Sequence, residues 1–191
     1  ATTGNGNAME KDAAPVLSNA GFSNTHQVEV LDEQGSPRQV SVAGESPLTI
    51  YLDKQEIVTL MTLGTHPELL TLGYLKNQGF IENISQVKSV QVDWDVEAVA
   101  VVTHHGVEGI DEKLNHRTVT TGCGQGTVFG GLMEKIDEIT LQPQPLRQST
   151  VYGLLDNLQA HNDVYKRAGG VHGCALCQGT EVLSFVEDVG R

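Results

Sequence analysis

Hydrophobic and polar residues alternate along the first part of the chain in a pattern typical of β-strands. The alternating apolar positions are Val28 and Val30, Val40 and Val42, and Leu48, Ile50 and Leu52. Since every second residue of a strand faces the same side of a sheet, this pattern predicts three strands, with a turn at residues 35–37. The apolar run at residues 57–63 and the segments 87–92 and 97–102 extend the prediction to a largely β first half.

One helix interrupts this first half. Residues 65–68 read Thr-His-Pro-Glu, which is the pattern of a capping box with a proline near the first helical position. We expect the helix to continue through Leu72 and Leu75 and to end at Gly79, because glycine readily adopts the backbone conformation that closes a helix.

The second half mixes helical and strand patterns. Residues 118–121 predict the end of a strand, and residues 171–177 and 182–186 predict a β-hairpin or two successive strands. The apolar positions that predict a helix beginning at Val128 are Val128, Phe129, Leu132, Met133, Ile136 and Ile139. After Pro143 and Pro145, a second helix is predicted by Val151, Leu154, Leu155 and Leu158. This order of elements is typical of a layered α/β unit.

The chain is therefore predicted to have three regions. Residues 1–25 are small and polar at their start and predict a disordered leader, residues 26–115 a β-rich part with one helix, and residues 116–191 an α/β part. We expect the last part to be incomplete at its C-terminus, because a strand-like run ends there without a closing element.

Composition and charge exclude several functions. The chain has 191 residues and a net charge of −12, which argues against non-specific binding to nucleic acid or to an anionic membrane. No run of 18 apolar residues is present, and the start of the chain does not read as a signal peptide. Three cysteines, an odd number, favour a reducing compartment over a disulfide framework. We therefore expect a cytoplasmic protein.

Cys123 is the strongest candidate for chemistry. It is framed by Gly122, Gly124 and Gly126, just before the helix predicted from Val128. A thiol at the start of a helix is favoured as the thiolate, because the helix dipole and free backbone N–H groups stabilise the negative charge. The alternative is a small buried apolar residue, the commonest fate of a free cysteine. Sulfur transfer, acyl transfer and metal binding all remain open for such a thiol.

Cys174 and Cys177 form a second candidate, a C-x-x-C pair inside the strand-like segment 171–177. Residues three apart on a strand point to opposite faces of the sheet, whereas a chelating pair needs its two sulfurs on one side. We therefore predict that both cysteines pack as small apolar residues.

His172 is the histidine best placed for function, because it follows the glycine pair Gly169 and Gly170. Paired glycines let a ligand approach the backbone closely, and a neighbouring imidazole can bond a phosphate or tune a thiol. A structural histidine on a strand is the alternative. The acidic pair Glu187 and Asp188 is a further candidate for function. The alternative is that both residues belong to a solvated turn.

Zinc-dependent deamination is a rival interpretation of the cysteines. Such sites place a glutamate two residues after a zinc ligand and add a distant Pro-Cys-x-x-Cys. Here Gln125 stands two residues after Cys123, and no proline precedes Cys174. Since an amide cannot shuttle protons as a carboxylate does, the sequence makes this the weaker interpretation.

Five segments, in this order, resemble the FdhD/NarQ family of formate dehydrogenase accessory sulfurtransferases. They read Glu-Ser-Pro-Leu-Thr-Ile at 45–50, Met-Thr-Leu-Gly-Thr-His-Pro-Glu-Leu-Leu-Thr-Leu-Gly-Tyr-Leu at 61–75 with Gly-Phe-Ile at 79–81, Thr-Thr-Gly-Cys-Gly at 120–124, Gly-Gly-Val-His at 169–172 and Val-Glu-Asp-Val-Gly-Arg at 186–191. The resemblance implies a cytidine-deaminase-like layered α/β unit with an added N-terminal β-rich part.

The resemblance also implies an activity. Members of the family are taken to receive sulfur as a persulfide from a cysteine desulfurase and to pass it to the molybdenum or tungsten bis-guanine dinucleotide cofactor of formate dehydrogenase. The implied partners are the desulfurase, apo formate dehydrogenase and the guanine nucleotide part of the cofactor, without DNA, RNA or a membrane. A homodimer is an assembly that the resemblance allows, and no metal is expected to reside in the protein.

On this resemblance, Cys123 is expected to carry the sulfur and the neighbouring Gly122 and Gly124 to border the cofactor. The remaining residues expected around the cofactor are Gly169, Gly170, His172, Glu187, Asp188 and Arg191. A chaperone that binds the cofactor without transferring sulfur is the alternative.

The chain departs from the family pattern in three ways. Gly126 stands where many members have the second cysteine of a C-x-x-C pair, so Cys123 would act alone there. Cys174 and Cys177 stand where other members commonly have small or apolar residues. The family normally continues beyond the position of Arg191, and we therefore expect the natural protein to be longer.

Overall fold

The fold is seen in a computed structural model, which describes residues 14–22, 25–115, 117–119, 127–129 and 139–190. The strands are β1 (Val16–Leu17), β2 (Thr25–Leu31), β3 (Pro37–Ala43), β4 (Ser46–Leu52), β5 (Gln55–Thr62), β6 (Val87–Asp93), β7 (Ala98–Thr103), β8 (Arg117–Val119), β9 (Thr127–Phe129), β10 (His172–Gln178) and β11 (Glu181–Asp188). The helices are α1 (Pro67–Asn77), α2 (Ile110–Asn115), α3 (Gln148–His161) and α4 (Asp163–Ala168), with a 3₁₀ turn at Ile84–Gln86.

A mixed five-stranded sheet in the order β1-β6-β7-β4-β5 forms the main core. Strand β4 runs parallel to β7 and antiparallel to β5, and β6 runs antiparallel to β7. On β4 the alternating residues Leu48, Ile50 and Leu52 are fully buried, which confirms the strand and the inward face predicted from the sequence. They pack with residues of the neighbouring strands and with Leu72 and Leu75 of α1.

Helix α1 begins at Pro67 and ends at Asn77, so the predicted proline position and the predicted end before Gly79 are confirmed. The predicted capping box is wrong, because the N-cap residue is His66 and it makes no side-chain capping bond. The carboxylate of Glu68 instead accepts hydrogen bonds from the Ser18 hydroxyl at 2.6 Å and the Ala20 backbone N–H at 2.7 Å. Contacts with a segment 50 residues away therefore take the place of the local cap.

Residues 14–22 are ordered against the sheet, although the leader was predicted to extend to residue 25. Strand β1 pairs with β6, the indole of Trp94 donates to the Ala20 carbonyl at 2.7 Å, and Phe22 packs edge-on against Trp94. Burial raises the pKa of the Glu68 carboxyl, but the hydrogen bonds from Ser18 and Ala20 outweigh that effect and hold its pKa below the ordinary value. A buried, charged anchor thus fixes this segment.

The helix predicted to begin at Val128 is not found there. Val128 lies in β9, which pairs antiparallel with β8 in the register Thr118 opposite Val128 and Val119 opposite Thr127. β-Branched and aromatic residues favour strands, and pairing with β8 satisfies their backbone groups. Leu132, Met133 and Ile136 lie outside the described residues, and Ile139, the last position of that prediction, is exposed and lies in no helix.

Helices α3 and α4 and the hairpin β10–β11, residues 148–188, form what we call the hairpin unit. The second predicted helix is confirmed as α3, and the predicted hairpin as β10 and β11, joined by the two-residue turn Gly179-Thr180. None of these four elements buries a residue, and Val171, just before β10, is the one buried hydrophobic residue that the structure describes in the unit.

The architecture is mixed α/β with a mixed sheet, which confirms the fold class at that level. The cytidine-deaminase-like layering and the boundaries at residues 26 and 116 stay predictions. Among the helices in the described part of the chain, none is long and apolar enough to cross a membrane.

Candidate functional site

The hairpin and the loop before it bring five of the predicted site residues, Gly169, Gly170, His172, Glu187 and Asp188, to one end of the unit. In the β10–β11 register, His172 lies opposite Asp188, and Gly173 lies opposite Glu187. The glycine pair at 169–170 directly precedes β10, so it lies at the same end. Residues separated by 15 positions or more in the sequence are therefore neighbours in the fold, as a common site requires.

Gly169 and Gly170 form an open backbone loop between α4 and β10. Their φ angles are +63° and +70°, a region that residues with a Cβ rarely adopt. A Cβ placed on either glycine would meet no atom within 4 Å, and the side chain of His172 is exposed. The backbone here is accessible to a ligand of the size of a phosphate group.

Glu187 caps helix α4 from the neighbouring strand. Its two carboxylate oxygens accept hydrogen bonds from the backbone N–H groups of Val164 at 2.8 Å and Tyr165 at 2.9 Å. Those N–H groups belong to the first turn of the helix, where no backbone carbonyl is available to them. The negative charge of the carboxylate also complements the helix dipole. Glu187 therefore holds α4, whose C-terminal end leads into Gly169.

Asp188 connects the hairpin unit to the end of β5. One carboxylate oxygen accepts from the Leu63 backbone N–H at 2.8 Å and from the Val189 N–H, and the other accepts from the Thr62 hydroxyl at 2.7 Å. Thr62 is fully buried, and its hydroxyl also accepts from the Gly64 N–H at 3.0 Å. The motif segments 61–75 and 186–191 thus meet at this point.

Thr62 and Leu63 were missed as site residues by sequence reasoning. The one local signal was a polar residue at position 62 inside the apolar run 57–63. Its partner Asp188 lies 126 residues further along the chain, so no local pattern could identify the pair.

The two cysteines of the hairpin differ in exposure. Cys174 and Cys177 lie on β10, which confirms the strand predicted for them. Cys177 is half-buried, but Cys174 is exposed, so the prediction that both pack as apolar residues is wrong for Cys174. Its cross-strand neighbour in the two-stranded sheet is Val186.

Cys123, Gly122, Gly124 and Arg191 lie outside the described residues. The strands β8 and β9, which flank residues 120–126 in the sequence, are described. Strand β9 bears on the argument that a helix start favours the Cys123 thiolate. Because Thr127–Phe129 is a strand, the helix start that was expected to favour the thiolate of Cys123 does not lie at Val128. The reactivity proposed for Cys123 therefore has to rest on other grounds.

The surroundings of the site offer neither a metal-binding cluster nor a shared cavity among the described residues. Among the described residues, no group of three or more histidines, cysteines or carboxylates is arranged to hold a metal ion. An open cavity of about 500 Å³ lies over the sheet, lined by residues such as Tyr51, Gln91, Trp94 and Ala100. Since none of the predicted site residues lines it, this cavity is separate from the candidate site.

The fold and this site define a mixed α/β protein whose Gly-Gly-Val-His loop lies at the end of a hairpin, beside two carboxylates that bond α4 and the end of β5. The model of the FdhD/NarQ family matches residues 43–191, which is well over half of the chain. The chain therefore belongs to the FdhD/NarQ family, as the resemblance predicted.

Curated relatives agree with this family. The chain is 28% identical over 175 residues to the sulfur carrier protein FdhD of Listeria monocytogenes, covering 87% of this chain and 66% of the relative. It is 29% identical over 163 residues to the protein of the same name from Bacillus subtilis, covering 83% of this chain and 62% of the relative. The chain thus spans just under two thirds of the length of these relatives.

A solved structure from Desulfotalea psychrophila, of a protein described as a formate dehydrogenase accessory protein, has a similar fold. The TM-score is 0.57 at 19% sequence identity, and the match covers 87% of this chain and 62% of that one. At this sequence identity, the similarity is evidence of a shared fold alone.

Proposed function

We propose that this protein is a cytoplasmic sulfur carrier that serves formate dehydrogenase. Cys123 accepts sulfur as a persulfide from a cysteine desulfurase. It then passes that sulfur to the molybdenum or tungsten bis-guanine dinucleotide cofactor, the substrate, before the cofactor enters apo formate dehydrogenase. The proposal includes a cytidine-deaminase-like layering of the complete fold. It is supported by family membership and by the names of the relatives.

One geometric observation supports the proposal most strongly. Gly169 and Gly170 present an open backbone with positive φ angles, and the exposed His172 follows two residues later. The Gly169 N–H is bonded to the Tyr165 carbonyl, so the donors proposed for phosphate oxygens are the Gly170 backbone N–H and the His172 imidazole, and the cofactor carries phosphates in its guanine dinucleotide parts. The residues present therefore suit the nucleotide end of the proposed substrate. In the proposal, Glu187, Asp188 and Arg191 help to shape the same pocket.

Sulfur uptake from the desulfurase needs only one thiol of this chain. The Cys123 thiolate attacks the outer sulfur of the desulfurase persulfide, the desulfurase thiolate leaves, and a persulfide forms on Cys123. The flanking Gly122 and Gly124 have no side chains to shield the sulfur from either partner. Because Gly126 stands where many family members have a second cysteine, no disulfide with a neighbouring cysteine competes with the transfer.

Sulfur uptake from radiolabelled cysteine and a cysteine desulfurase tests the proposal. We expect the unmodified chain to become labelled and Cys123→Ala to lose the label. Cys174→Ala is the matched control, because Cys174 is exposed and lies outside the glycine turn, and it should keep the label. Equal labelling of Cys123→Ala and the unmodified chain would rule out the carrier mechanism.

A second experiment separates the carrier from a chaperone that only binds the cofactor. In a strain that lacks the native protein, Cys123→Ala should fail to restore formate dehydrogenase activity if sulfur transfer is required. Restoration by this variant would favour the chaperone, which needs the glycine loop and His172 but no thiol. Binding of stoichiometric zinc through the three cysteines would instead favour the deaminase alternative.

A further inference from the structure

Glu187 and Asp188 lie at the end of β11, and both carboxylates are engaged by groups of the protein itself. Glu187 accepts from two backbone N–H groups of α4, and Asp188 accepts from the Thr62 hydroxyl and two backbone N–H groups. An ionised carboxylate can only accept hydrogen bonds, so neither side chain could bond a phosphate oxygen directly. Their role therefore lies in fixing the parts of the chain that they bond.

The two carboxylates act on opposite sides of the same strand. Successive residues of a strand point to opposite faces. Glu187 reaches α4 in this way, whereas Asp188 reaches the end of β5 and the turn at Leu63. The end of β11 is therefore fixed to two elements at once, and through the register pairs Gly173–Glu187 and His172–Asp188 the start of β10 is fixed with it.

The loop at residues 169–171 joins these two anchored elements. It begins where α4 ends, with the Gly169 N–H bonded to the Tyr165 carbonyl at 2.9 Å, and it ends at the first residue of β10. Two successive glycines have the largest conformational freedom that a backbone can have. Without fixed ends they would sample many conformations, and ordering them on binding would weaken the affinity for a ligand.

We infer that Thr62 and Glu187 are positioning residues for the Gly169–Gly170–His172 loop, Thr62 acting through Asp188. In this inference, the identity of the ligand rests on the proposed function. The positioning of the loop does not depend on which ligand binds. Thr62 carries the role because its hydroxyl is fully buried and bonds both Asp188 and Gly64. Removing that hydroxyl leaves the Asp188 carboxylate with one partner fewer and the Gly64 N–H without its acceptor.

Hydrogen–deuterium exchange of Thr62→Val tests the positioning. We expect exchange in peptides covering residues 169–173 and 186–190 to become about tenfold faster, the factor that matches the loss of one net hydrogen bond. Thr62→Ser keeps the hydroxyl and should exchange as the unmodified chain does. Thr59→Val is the matched control: it removes the Thr49–Thr59 hydroxyl contact of 2.9 Å from the same strand and should leave residues 169–173 unchanged.

Two results would overturn the inference. One is unchanged exchange at residues 169–173 in Thr62→Val. The other is an equal acceleration across β4 and β7, which indicates general destabilisation. Should Thr62→Val fail to fold, Glu187→Gln provides the second variant, because it removes one acceptor from the first turn of α4. Exchange at Val164 and Tyr165 should then rise together with exchange at 169–173, and a rise at α4 alone would contradict the inference.

GDP, the nucleotide part of the proposed substrate, adds a binding readout. If the unmodified chain binds GDP, Thr62→Val and Glu187→Gln should weaken binding about tenfold, and Thr59→Val and Thr62→Ser should not. Equal GDP affinity of all five proteins would contradict positioning. If the unmodified chain does not bind GDP, the proposed nucleotide site is wrong, and the exchange data alone then decide the positioning.

Discussion

The five-stranded sheet and the hairpin unit are stabilised in different ways. The sheet and α1 bury a continuous set of apolar side chains, including Leu48, Ile50 and Leu75 at 0% exposure. In the hairpin unit the described helices and strands bury no residue, and the carboxylate of Asp188 bonds the unit to the end of β5. Apolar burial therefore stabilises one region, and directional hydrogen bonds place the other.

This difference has a functional meaning. Apolar burial is roughly proportional to area and does not define orientation closely, whereas a carboxylate that accepts from particular N–H groups fixes the direction and distance of its partners. A loop that has to present backbone groups to a ligand benefits from the second kind of attachment. The comparison predicts that substitutions of buried apolar residues in the sheet change the free energy of unfolding. Substitutions at residues 187–188 and at Thr62, a polar residue at the end of β5, should instead change local order.

The largest expected contrast is between two leucines on helices of the two regions. Leu75→Ala removes a fully buried side chain of α1 and should lower the free energy of unfolding by about 2–5 kcal/mol. Leu155→Ala on α3, where the side chain is 53% exposed, should change it by no more than about 0.5 kcal/mol. Urea unfolding followed by circular dichroism measures both. Similar losses for the two variants would contradict the contrast between the regions.

Two glycines with the same φ angle test how tightly the chain packs just after β5. Gly64 and Gly35 both have φ of +78°, so that alanine is strained at either position by about 1–2 kcal/mol. A Cβ at Gly64 would also lie 2.6 Å from a ring carbon of Phe22, whereas at Gly35 it would meet no atom within 4 Å. Gly64→Ala should therefore cost about 1 kcal/mol more than Gly35→Ala in the same unfolding experiment. Equal costs would show that Phe22 moves aside freely.

The smallest expected effect concerns pH and Glu68. Because the pKa of Glu68 is lower in the folded protein than its ordinary value of 4.5, its contribution is present above about pH 4.5 and is lost as the pH falls through the folded pKa. Glu68→Gln keeps an oxygen for Ser18 and Ala20 but loses the charge, and should cost about 1 kcal/mol at pH 7. Unfolding free energies measured from pH 7 to pH 3 should converge for the two proteins at the acid end. A constant difference at all pH values would contradict this role of the charge.

Local patterns were sufficient to predict much of the fold. The alternation at Leu48, Ile50 and Leu52 identified β4 and its buried face, and the strand-like segments 171–177 and 182–186 gave the hairpin as one of two predicted arrangements. Strand alternation and turn composition depend on neighbours in the sequence, so a single sequence contains them. The glycine pair and His172 could be predicted as a candidate site because they are close together in the sequence, and their role in binding stays a prediction.

Contacts between distant segments account for what the sequence could not predict. The capping box at residues 65–68 failed because Ser18 and Ala20 bind the Glu68 carboxylate from another part of the chain. The helix start predicted at Val128 was wrong because pairing with residues 117–119 made that position a strand. The link from Asp188 to Thr62 joins residues 126 positions apart, and no periodicity in the sequence encodes it.

The measurement that tests the central claim most directly is the location of the transferred sulfur. After incubation of the unmodified chain with a cysteine desulfurase and cysteine, alkylation and peptide mass spectrometry report which cysteine carries an extra sulfur atom. The account predicts the persulfide on the peptide with Cys123 and unmodified thiols on the peptide with Cys174 and Cys177. A persulfide on Cys174, the exposed thiol of the hairpin, with none on Cys123 would contradict it.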